Sequence, residues 1–172
     1  NYSTKEWCEK FIDLTIFISP SFAGLPLFSQ LYEQEISPYK STDEFKKTIM
    51  RMPGLHMMLP NYVVFENFTV IYNLNKDFDQ HNASFSFEFL KSQGKVDDES
   101  EEIFKANVEK ILKKPIPEPP VPSLIIYNDN IKMNVSYSIY QHQNKIVKSI
   151  YQDPSDGSVT SEGAQNACGH WK

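Results

Sequence analysis

Four triplets of the form Asn-X-Ser/Thr are the residues whose type and spacing prescribe a reaction: Asn1-Tyr2-Ser3, Asn67-Phe68-Thr69, Asn82-Ala83-Ser84 and Asn134-Val135-Ser136. Such a triplet accepts an N-linked oligosaccharide on its side-chain amide nitrogen, provided the Asn faces solvent. Twelve Asn and 23 Ser or Thr among 172 residues give about 1.6 triplets by chance, so four is an excess. Cys8 and Cys168 offer a second chemistry. They are too distant in sequence for a metal or redox motif, yet if bridged they close a loop of about 160 residues, worth about 5 kcal/mol in the chain-entropy model. Cys168 lies in the polar stretch 153–172, which has no other evident anchor, so a Cys8–Cys168 disulfide tying down that tail is expected. The chain begins at Asn1 without Met, as a mature protein does after its signal peptide is removed. Together these features predict a secreted, disulfide-bonded glycoprotein.

Other chemistry is poorly represented. The sequence contains no G-x-S-x-G, H-E-x-x-H or C-x-x-C, and its six glycines are dispersed rather than gathered into a phosphate cradle. His56, His81, His142 and His170 share no ligand spacing with one another or with a carboxylate, so no metal, cofactor or catalytic residue is assigned. The acidic run from Asp97 to Glu102 reads as a solvated helix start favoured by the helix dipole. The P-x-x-P spacings at Pro117–Pro120 and Pro119–Pro122 read as a rigid bridge between elements. Around "MRMPGLHMMLP", the residues Met50, Leu55, Met57, Met58 and Leu59 are candidates for contact with an apolar ligand or a partner, because thioethers adapt to irregular surfaces. Core filling is the alternative use of the same residues.

Composition narrows the class. A net charge of -5, with 17 Lys and Arg scattered along the chain, offers no basic stripe for nucleic acid. Twelve Phe, nine Tyr and two Trp are ample for one core at this length, so residues 1–172 read as a single domain. No apolar run approaches the roughly 18 residues of a membrane span.

The elements that must position these residues follow from periodicity. Ser3-Thr4-Lys5-Glu6 has capping-box spacing and predicts a helix over about 4–17. A short helical turn is expected at 27–34. "STDEFKKTIMRM" predicts a second helix stopped by Pro53-Gly54, and "DDESEEIFKANVEKILKK" a third, with Phe104, Val108, Ile111 and Leu112 on one face. Residues 61–74 and 83–91 read as strands, the second from the strict alternation of "NASFSFEF", and two further extended runs follow "PIPEPPVP". In each of three strands the sequon Asn then falls on the polar face, with Phe65 and Tyr140 as outward aromatics beside the glycans.

The predicted class is α+β: a curved antiparallel sheet with helices on one face. This element order resembles the cone-shaped ketosteroid-isomerase-like and nuclear-transport-factor-like superfold, with a cystatin-like sheet wrapped on one helix as the competing arrangement. The resemblance would imply an acid or base in an apolar pocket. An internal echo pairs Phe45-Lys46 with Phe104-Lys105, "VVFEN" with "IIYND" and "QHNASFSFEF" with "QHQNKIVKSIY", which would suit an old duplication. Three functions are compatible: a non-catalytic binding protein for a protein partner or small apolar ligand, a small cone-fold enzyme, and an adhesion or structural component.

Overall fold

A computed structural model describes residues 4–25, 43–67, 69–73, 79–92, 94–140, 145–156 and 159–171. The class is mixed α and β, as the sequence predicts. In chain order the elements are α1 (Lys5–Phe11), β1 (Thr15–Ile18), α2 (Asp43–Met50), α3 (Pro53–His56), β2 (Thr69–Asn73), β3 (Asp79–Asn82), α4 (Ser86–Ser92), α5 (Asp98–Asn107), α6 (Glu109–Leu112), β4 (Ser123–Ile126), β5 (Ile131–Tyr140), β6 (Lys145–Ser155) and α7 (Glu162–His170). The turn expected at 27–34 lies outside the described residues.

Two sheets form among these residues. One has the order β3-β2-β5-β6, and the other is the pair β1-β4. The expected purely antiparallel sheet is corrected: β2 runs parallel to β5, and β1 parallel to β4. The expected helix over 4–17 is also shorter. Thr4 caps α1 by accepting from the Trp7 amide at 3.3 Å, but the helix ends at Phe11. The β-branched residues Thr15, Ile16 and Ile18 then favour extended backbone, which finds its partner in 123–126.

The largest correction concerns "NASFSFEF". Ala83–Phe85 is a 3-10 turn and Ser86–Ser92 is helix α4, not a strand. Ala83, Ser86, Phe87 and Leu90 are buried at helical spacing, so the alternation of aromatics concealed an amphipathic turn of helix. Residues 62–67, expected as strand, are turns organised by buried Asn61. Its Oδ1 accepts from the Val63 and Val64 amides, and its Nδ2 donates to the Lys114 carbonyl at 2.9 Å. Phe65 is thereby turned inward and buried rather than exposed. The echo is matched only in part: Phe45-Lys46 and Phe104-Lys105 both lie in helices, but "VVFEN" lies in turns whereas "IIYND" begins in β4, and residues 141–144 of the third pair lie outside the described residues.

The main core lies among helices. Leu25, Leu59, Phe87, Leu90, Val96, Phe104, Val108 and Leu112 form one cluster, centred on the parallel stack of Phe87 and Phe104 with ring centroids 3.8 Å apart. Ile111, expected on the same face, is exposed. A second cluster holds Ala23, Phe65, Ala83 and Phe89. The segment 23–25 reaches this core by pairing with 58–61, where Leu25 donates to the Met58 carbonyl and Asn61 to that of Ala23, both at 2.8 Å. Gly24 sits between them at φ 74, and a Cβ there would lie 2.2 Å from the Leu59 carbonyl oxygen, so both conformation and space require glycine.

The polar stretch after residue 153 is also corrected. It forms the end of β6 and then α7, whose Gly163, Ala164 and Ala167 are buried, so packing anchors it. A Cβ on Gly163 would meet the Ala23 Cβ at 3.0 Å, which gives the closeness of that contact.

Candidate interaction face and glycan acceptors

Among the described residues, the β1–β4 ribbon presents an exposed apolar face. Its register pairs Ile16 with Leu124 and Ile18 with Ile126, which places these four side chains on one face. They are 53%, 73%, 47% and 48% exposed. The opposite face carries Thr15, Phe17, Ser123 and Ile125, all half-buried, with Phe17 packed edge-on to Phe22 at 4.9 Å and against Trp171 at 6.0 Å. The strands bury this underside because the C-terminal segment lies against it. Nothing among the described residues covers the other side.

That asymmetry is unusual for parallel strands, which are normally enclosed on both faces, and a two-stranded ribbon is marginal without a layer packed on it. The face carries no titratable or hydrogen-bonding side chain, so its chemistry is the exclusion of water from an apolar partner. Just before the ribbon, Trp7, Phe11 and Leu14 are exposed as well; Trp7 and Phe11 lie 5.3 Å apart, with the Lys10 amine over the Phe11 ring at 5.2 Å. Periodicity placed residues 15–17 in a helix, and this misassignment hid the ribbon from the sequence. The clue available was the matching of two β-branched runs, "TIFI" and "SLII".

Among the glycan candidates, Asn67 and Asn82 are both exposed. Asn67 lies outside any strand, and Asn82 is the last residue of β3. Asn67 ends the turns organised by Asn61, while Asn82 caps the turn leading into α4: its Oδ1 accepts from the Ser84 amide at 3.2 Å and the Ser84 hydroxyl at 2.6 Å. The Asn82 amide nitrogen donates to the Glu66 carbonyl at 3.5 Å and has a second hydrogen to spare. This contact brings the sequons at 67 and 82 together on the surface. Asn1 lies outside the described residues, as does the side chain of Asn134 on β5. The pleat expected around Asn134 is broken by a register shift between Asn134 and Ser136, and Val135 and Ser136 are both buried.

The other candidates disperse. Leu59 is fully enclosed in the core, and Met50, Leu55 and Met58 pack against it, leaving Met57 exposed beside Met52. In this structure Cys8, buried on α1, and Cys168, exposed near the end of α7, are free thiols. The acidic run opens α5. Asp97 caps it through Ser100, and the Ser100 and Arg51 hydrogen bonds hold the Asp97 carboxyl well below the usual range.

His56 and Asp153 are buried without any signal of it in the residue spacing. His56 is fully enclosed, with Nε2 2.7 Å from the Met50 carbonyl and its ring edge-on to Phe87 and Phe104. Burial pushes its pKa down, opposed by the Met50 hydrogen bond. Asp153 is buried beneath α7, and burial pushes its carboxyl upward. Among the described residues no helix is long and apolar enough to cross a membrane. No protein-family model matches the sequence, and no curated protein matches it either.

Proposed function

We propose that this chain is an extracellular, N-glycosylated binding protein that acts without catalysis, docking a protein partner on the open face of the β1–β4 ribbon. The observation that carries this reading is the alignment of Ile16, Ile18, Leu124 and Ile126 on one uncovered side of a parallel strand pair. A flat aliphatic face suits a protein surface better than a small apolar molecule, which gains most from enclosure. Exposed Asn67 and Asn82 support the glycoprotein half of the reading. The contacts of Trp171 with Phe17 and Phe22 draw the last helix toward the N-terminal segment, which favours a Cys8–Cys168 bridge in an oxidising compartment.

The alternative of a cone-shaped fold with an acid or base in an apolar pocket has Asp153 as its candidate group. That carboxyl, however, faces a second carboxyl, Glu162. An adhesion role would use the same ribbon face against a second copy.

The test is production through a eukaryotic secretory pathway, followed by intact mass with and without glycosidase and reductant. Photo-crosslinking from position 18, with position 111 as the exposed control, is then carried out in the fluid the protein occupies. The reading expects a glycan mass loss, a two-dalton gain on reduction, and one predominant adduct from position 18 alone. Unmodified asparagines, or equal crosslinking from both positions, would overturn it.

A further inference from the structure

The corner joining β6 to α7 brings two carboxyls together. Ser155 and Thr160 form an antiparallel bridge across this corner, and the Ser161 amide and hydroxyl both donate to the Pro154 carbonyl, at 3.0 and 3.1 Å. The two hydrogen bonds from Ser161 to Pro154 bring the start of α7 alongside 153, and residues 153, 155 and 160 project from one face. Asp153 is only 7% exposed and its Oδ2 has no hydrogen-bond partner; the hydroxyl of Thr160, opposite Ser155, is buried and unpartnered too. Glu162, the first residue of α7, presents its carboxyl to that of Asp153.

The charged surroundings do not neutralise the pair. On β5, Met133 stands opposite Asp153, while exposed Lys132 stands opposite Pro154 and so projects from the other face. The segment 21–25, packed on Gly163, carries no charge. Asp156 accepts from the Val159 amide, and His170 is exposed at the far end of α7. Among the described residues no lysine, arginine or histidine bears on either carboxyl, and none brings a third acidic, imidazole or thiol ligand to form a metal site.

Two facing carboxylates withdrawn from water must be neutralised. One proton between them replaces repulsion with a charge-assisted O–H···O hydrogen bond and gives the orphan oxygen a donor. It leaves a single negative charge at the positive end of the α7 dipole, where such a charge is favoured. We propose that Asp153 and Glu162 share one proton and form a pH-sensitive latch that holds α7, and with it Trp171, against the strand and the underside of the ribbon. Loss of that proton to solvent puts two like charges in contact and loosens α7. The sign is opposite to that of an ordinary salt-bridged acid. Burial raises both carboxyls in the folded chain, so the latch is closed while the pair holds at least one proton and opens as pH rises through the loss of the last one. This inference stands whether or not the ribbon docks a partner.

Carbon-13 NMR of the side-chain carboxyls in the unaltered protein reads the proton directly. Residues 153 and 162 should titrate as a coupled pair above the normal range. Unfolding is measured alongside in wild type and Glu162→Gln, whose amide donates to Asp153 without needing a proton. The ratio of their unfolding constants should rise with pH, by up to ~10-fold per pH unit where the pair titrates. In a Trp7→Phe background, Trp171 emission should report loosening of α7 before global unfolding. Ordinary titration of both carboxyls, or a flat ratio, would overturn the latch. So would stabilisation of wild type but not Glu162→Gln by calcium chloride at neutral pH, which would assign the pair to a cation.

Discussion

At the residue scale, single polar side chains decide local conformation, and two predictions follow from their partners. Asn82 is both a sequon residue and a cap, so its roles separate by substitution. In unglycosylated protein, Asn82→Ala should cost about 1 kcal/mol by chemical denaturation, whereas Asn82→Asp, which keeps the acceptor oxygen, should be nearly neutral. Equal losses would contradict the cap. His56 sets a pH dependence. Its folded pKa lies below the unfolded value near 6.5, so its contribution is complete above that pH and declines as pH falls below it. Between pH 7.5 and 5.5 the urea midpoint should fall more for wild type than for His56→Leu; parallel curves would refute a neutral buried imidazole. Sequence spacing paired His56 with no ligand residue. It could not show the ring's burial, because that depends on aromatics about 30 and 48 residues away.

At the element scale, the sequence was most legible where charge and periodicity agreed. The segment after Gly94 is helical as expected, though divided at Val108 into α5 and α6, because acids cluster at its start, lysines follow, and Phe104, Val108 and Leu112 are buried at helical spacing. It was least legible at 82–92, where period 2 and period 3.6 competed over a short aromatic run. The deciding signal was Gly94 itself. At φ 65, with its amide bonded to the Lys91 carbonyl at 2.9 Å and that of Lys95 to Leu90 at 3.0 Å, it terminates α4 as well as preceding α5. Gly94→Ala should therefore cost about 1 kcal/mol despite open space around it. Phe104→Ala, which removes half of the central ring stack, should cost about 3–5 kcal/mol. Thermal or urea unfolding of the two variants checks that order; a Gly94 variant more damaging than the Phe104 variant would misplace the core.

At the scale of the whole molecule, Trp171 near the end of the described residues meets the segment 17–22, while the aliphatic face of the ribbon above it is left open. Trp171 packs between Phe17 and Phe22, so the last helix supports the ribbon from below, and Ile16, Ile18, Leu124 and Ile126 face outward above it. Mixed α and β composition was legible from element types, but sheet order was not, since parallel pairing of β1 with β4 joins segments about 110 residues apart. The central claim is that this open face exists to be covered by another molecule. The most direct measurement is the double substitution Ile18→Thr and Ile126→Thr, which keeps β-branched side chains while removing the apolar cross-strand pair. Unfolding free energy is compared with formation of the complex recovered by crosslinking from position 18. The account predicts stability within about 0.5 kcal/mol of wild type and loss of the complex. An intact complex would contradict it, as would a destabilisation of several kcal/mol, which would mean that the face is core packing within the chain.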